Sequence, residues 1–89
     1  DSLWNPFPQV RAYPNPFEDT FILEYHQQLD KPVGIEIWDA MGRKIWGAAG
    51  ESGAGYHSVE INPGNLTSGV YMLRLVQEGK SSQLWIILR

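Results

Sequence analysis

Apolar and polar positions alternate along most of this chain with the two-residue period of extended strands, and no stretch carries the 3.6-residue period of a helix. Strand-like runs are "VRAY" (10–13), "TFILEYH" (20–26), "GIEIWD" (34–39), "KIWGA" (44–48), "YHSVEI" (56–61), "VYMLRLV" (70–76) and "SSQLWIIL" (81–88). Turn-forming residues separate them: Asp30-Lys31-Pro32, Met41-Gly42, the glycine-rich 47–55, Asn62-Pro63-Gly64-Asn65, Ser68-Gly69 and Glu78-Gly79. Seven short strands at intervals of roughly ten residues predict an all-β, immunoglobulin-like antiparallel β-sandwich. The inward phase of the alternation places Leu23, Ile37, Ile45, Tyr71, Leu73 and Leu75 in its core. Residues 1–9, with Pro6 and Pro8, read as a linker from a preceding domain, and 10–89 as the sandwich.

The segment "YPNPFEDT" (13–20) interrupts the pattern. Each proline fixes its own φ, pushes the residue before it out of the helical region and offers no N–H to a ladder. The segment can therefore leave an edge strand or brace a bend, but it cannot be a helix or a central strand. "NPF" occurs both at 5–7 and at 15–17.

"DAMGR" (39–43) fits a three-residue hairpin loop with Gly42 in the left-handed position. That loop predicts the pairs Asp39–Arg43, Trp38–Lys44, Ile37–Ile45 and Glu36–Trp46. Glu36, Trp38, Lys44 and Trp46 would then share the outer face. Trp38 and Trp46 would form either an aromatic platform for sugar rings or a partner surface, or a cross-strand cluster with Lys44 that stabilises the hairpin. The cluster is the preferred reading.

Composition narrows the function. Eighty-nine residues make one domain, and 43% hydrophobic residues with four tryptophans supply a small core. A net charge of −3 with scattered basic residues argues against nucleic-acid binding. The chain has no cysteine, which excludes disulfides and thiolate chemistry. The apolar run "LWIIL" (84–88) is far too short to span a bilayer, so no stable membrane insertion is expected. The first residues lack the basic and apolar regions of a signal peptide; an exported protein would carry its leader elsewhere.

No active site is legible. His26 and His57 are the only histidines; the first falls on an exposed face with Glu24, and the second reads as a half-buried structural residue. Glu18 and Asp19 flank a turn, while Glu24, Glu36 and Glu60 alternate with apolar residues as solvent-facing strand positions do. The glycines at 47, 50, 53 and 55 lack the spacing and context of a phosphate loop, and no cofactor or metal is expected.

Taken in order, "VRAYPNPF", "IEIWDAMGRKIW", "LTSGVYMLRL" and an apolar closing strand resemble the type A C-terminal sorting domain of the type IX secretion system of Bacteroidota-like bacteria, over about residues 9–89. On this resemblance the proline motif is Pro14, Asn15, Pro16 and Phe17. The mid-domain motif is Asp39, Gly42 and Arg43, and the "L-x-x-G-x-Y" element is Leu66, Gly69 and Tyr71. The last strand runs from Gln83 to Arg89, with Leu84, Ile86 and Leu88 as its apolar alternation. Gln83 stands where the family usually has a lysine.

The resemblance implies a non-catalytic tag. It would follow an N-terminal cargo domain, bind components of the type IX translocon, and be cut off by a surface signal peptidase. Cargo would pass through the periplasm to be secreted or held at the cell surface, with attachment to surface lipopolysaccharide as one fate. A terminal strand with an open edge could add to a partner's sheet. The alternatives are a passive immunoglobulin-like spacer and a carbohydrate-binding module built on Trp38 and Trp46.

Overall fold

The computed structural model describes residues 7, 9–50 and 53–89. Its seven strands are β1 (Gln9–Tyr13), β2 (Phe21–Gln27), β3 (Val33–Trp38), β4 (Lys44–Gly50), β5 (Gly55–Ile61), β6 (Gly69–Gln77) and β7 (Lys80–Leu88). They form a three-stranded sheet in the order β1-β2-β5 and a four-stranded sheet in the order β4-β3-β6-β7. All neighbouring strands run antiparallel. The expected sandwich is present, and each strand lies within two residues of its sequence reading.

Alternation explains the core. β2, β3 and β6 bury every second residue, so Leu23, Ile37, Leu73 and Leu75 are fully enclosed and Tyr71 is buried with them. β7 joins late: Ile86 and Leu88 are buried, whereas Leu84 is half-buried against the cluster. Three phenylalanines complete the core. Phe17 and Phe21 meet edge to face at 4.8 Å, and Phe7 meets Tyr25 at 5.9 Å. Phe7 falls within the stretch read as linker; its neighbours at 1–6 and 8 lie outside the described residues, but its own ring is 1% exposed.

Two glutamines tie the sheets together. Gln27 ends β2 and Gln77 ends β6, and both are buried. Each donates its amide Nε2 to the carbonyls of Leu29 and Lys31, so one loop is held from both layers.

The β3–β4 hairpin corrects the predicted register. Trp38 pairs with Lys44 as expected, but Ile37 pairs with Trp46 and Glu36 with Gly47, because Ile45 forms a bulge between them. An extra residue inverts the side-chain phase downstream of it. Trp46 therefore lies opposite the buried Ile37 and packs half-buried against the core, and Ile45 is only half-buried rather than enclosed. Trp38 stays on the outer face, where its Nε1 donates to Glu36 Oε1 at 2.9 Å. Trp38 and Trp46 point to opposite faces, so neither the two-tryptophan platform nor the two-tryptophan cluster forms.

Candidate functional site

β7 is an edge strand, and the proline segment closes part of that edge. With Pro14 and Pro16 on either side, Asn15 has no neighbouring N–H to offer. Its side-chain amide supplies both a donor and an acceptor in their place. Asn15 Nδ2 donates to the Trp85 carbonyl at 3.0 Å, and the Ile87 N–H donates to Asn15 Oδ1 at 2.9 Å. One step on, the Phe17 N–H donates to the Ile87 carbonyl at 2.8 Å, and the Arg89 N–H donates to the Phe17 carbonyl at 2.9 Å. Phe17 and Leu88 thus form a short parallel bridge, with the Phe17 ring buried beneath it. Beyond this clasp Arg89 lies 3.9 Å from Glu18, both side chains well exposed.

The open edge expected for the last strand is therefore closed over Trp85–Arg89. Trp85 and Ile87 turn their backbone groups outward to the clasp, so by alternation Ser81 and Gln83 do the same upstream. In that upstream stretch the Ser82 hydroxyl reaches the Phe7 carbonyl at 3.5 Å.

The other two motifs each brace one corner. Asp39 Oδ1 accepts from the N–H groups of Met41 and Arg43 at 2.9 Å, and its Oδ2 accepts from Arg43 Nε at the same distance. These donors hold the Asp39 carboxyl below its usual range, the Arg43 N–H foremost. Gly42 closes the loop at φ +83°, a conformation that disfavours any side chain. In the third motif the Tyr71 hydroxyl donates back to the Thr67 carbonyl, and Leu66 packs against the core. This anchors the start of β6 much as a tyrosine corner does. Gly69 opens the strand itself.

The outer face of the smaller sheet carries one polar cluster. Glu24 accepts from Tyr13 at 2.5 Å and from Arg11 at 2.6 Å. Hydrogen bonds from Tyr13, Tyr56 and Arg11 together lower its carboxyl to about 2. Because the folded value lies below the ordinary 4.5, the stabilisation is complete above that value and is lost as pH falls through the folded value. The gap in melting temperature between the wild type and Glu24→Gln should be full near neutrality and shrink toward zero as the pH is lowered to about 2. A gap that stayed constant across that range would remove the carboxylate from the cluster's energetics. His26 is exposed on this face. His57 lies half-buried, stacked on Tyr25 at 5.2 Å. Among the described residues no three groups of metal-ligating type converge.

Sequence reasoning missed a further surface residue. Trp85 is 59% exposed on the outer face of the larger sheet, where it pairs with Met72, which in turn pairs with Trp38. The alternation of β7 showed that Trp85 faces outward, but not which strands lie beside it.

A family model described as the secretion system C-terminal sorting domain matches residues 11–89. No curated protein matches the chain.

Proposed function

The chain belongs to the secretion system C-terminal sorting domain family, and we propose that its sorting signal is the clasped end of β7, Leu84 to Arg89 held by Pro14–Phe17. As a member it is a C-terminal signal for type IX secretion, directing export to the cell surface or the medium through the type IX machinery. Domains of this kind are generally non-catalytic, and we read this one the same way.

The observation that carries the proposal is the set of four hydrogen bonds joining Asn15 and Phe17 to Trp85, Ile87 and Arg89. Two family motifs far apart in sequence are thereby one object in space. On this reading Gly42, Arg43, Gly69 and Tyr71 shape the corners that hold β3, β4 and β6 in place, and β7 lies along β6. The N-terminal cargo enters the periplasm first, and translocon components then read the terminus. A surface peptidase afterwards removes the domain, freeing the cargo or passing it to surface lipopolysaccharide.

The test is a fusion of a signal peptide, a fluorescent reporter and residues 1–89 in a bacterium with the type IX machinery. The wild-type fusion should leave the cell. Gln83→Glu with Arg89→Glu spares the apolar alternation of β7 and removes only exposed groups, so it should melt near the wild type. Its export should nevertheless fall. Export at the wild-type level would move the signal away from this terminus, and a wild-type fusion retained in the periplasm would favour the spacer reading.

A further inference from the structure

The outer face of the larger sheet carries an apolar row that the core does not need. Across β4, β3, β6 and β7 the register sets Lys44, Trp38, Met72 and Trp85 side by side. Neighbouring strands lie about 4.8 Å apart, so the row spans about 14 Å. Beside it Val70 pairs with Ile87, and these two are 47% and 42% exposed. Monomeric proteins rarely leave a contiguous apolar patch with such members uncovered unless it meets something.

Charge distinguishes this face from its opposite. On the larger sheet two cations, Lys44 and Arg74, stand beside a single carboxylate, Glu36, at 3.7 and 4.0 Å. Glu36 also accepts from Trp38, so it is shared three ways. The Arg74 Nε is buried and has no partner among the described residues. The opposite sheet carries Arg11 against Glu24 and Glu60 on its outer face, in a chain whose net charge is −3. The apolar row thus sits in the one sheet face with a cationic excess.

We propose that this face, centred on Trp38, Met72 and Trp85, is a docking surface for a protein of the export machinery that presents an apolar patch rimmed by a carboxylate opposite Arg74 and Lys44. The inference rests on the sorting-signal reading and adds a surface to it. Tryptophan, methionine and arginine are the residues enriched in protein interfaces and their energetic centres. A sugar would need convergent hydrogen-bonding groups around the rings. Here Met72, Val70 and Ile87 supply none, and Glu36 is already engaged. The carboxylate of a partner would give Arg74, now held only by the long 4.0 Å contact to Glu36, an acceptor of its own and relieve the crowding of cations on Glu36.

The same export fusion tests the inference. Val70→Thr with Trp85→Ser changes only exposed side chains, so the purified variant should melt near the wild type. Its export should fall about tenfold, the scale on which central interface residues act. Arg74→Glu should reduce export similarly, and Arg74→Gln less, which separates charge from packing. His26→Ser with Glu60→Gln, exposed on the other sheet, should export normally. Normal export of the Val70/Trp85 variant, or an equal loss in the His26/Glu60 variant, would overturn the surface while leaving the sorting reading intact. Retention of the wild-type fusion would overturn both. A saturable change in tryptophan fluorescence on titration with soluble lipopolysaccharide, lost in Trp85→Ser, would assign the face to a sugar and overturn the protein partner.

Discussion

Phe17→Ala is expected to lower the stability of the domain by about 3–5 kcal/mol, near the top of the range for a single core truncation. The ring is 1% exposed and packs edge to face on Phe21, so its removal leaves a cavity between the two sheets. The backbone on both sides of that ring is bonded to β7, which restricts how far the site can collapse. Small domains are stable by about 5–15 kcal/mol in total, so the variant should be partly unfolded at growth temperature. Chemical denaturation measures this directly: the midpoint should fall while the slope stays constant. A loss below about 1.5 kcal/mol would mean that the ring is not the wedge under the clasp.

The largest effect should come from deleting Leu84–Arg89. The deletion takes Ile86 and Leu88 out of the core, strips the neighbour from Tyr71 and Leu73, and removes every partner of Asn15 and Phe17 on β7. The two buried aliphatic side chains alone are worth about 4–10 kcal/mol, comparable to the whole stability of a domain this size. The truncated chain should show no cooperative melting transition, and its reporter fusion should stop in the periplasm. A sharp thermal transition in the truncated protein would show that the remaining six strands fold alone and that β7 is an appendage. Comparison with the Gln83→Glu, Arg89→Glu variant then separates loss of fold from loss of the signal.

Much of this architecture could be read from the chain because strand alternation is a local property. Whether Leu23, Ile37, Leu73 or Leu75 points inward depends only on its own strand, and all four are enclosed. Turn chemistry is equally local. Gly42 sits where a bulged hairpin loop needs a left-handed residue, and Glu78-Gly79 closes the β6–β7 hairpin with both residues at positive φ. The order of the three motifs was also visible, and with it the family.

The errors arose where one residue's position depends on a distant one. Ile45 has the same alternation inside or outside a bulge, and only the pairing of β4 against β3 shows which; that single residue separated Trp46 from Trp38. Phe7 sits among prolines and reads as linker, yet its ring is buried against Tyr25 of β2. Asn15 looked like one element of a rigid bend, and nothing local indicates that its amide takes a ladder position beside Trp85 and Ile87.

The class of fold, the phase of most strands, the corners and the family are all legible along the chain. Each of these follows from backbone preferences and side-chain polarity within about ten residues of chain. Which strands become edges, the cover that the proline motif lays over the edge of β7, and the placing of Trp85 rather than Trp46 beside Trp38 emerge only when the sheets assemble. Those outcomes depend on strand order and register, which are set by the summed burial of both sheets and cannot be assigned to any one segment.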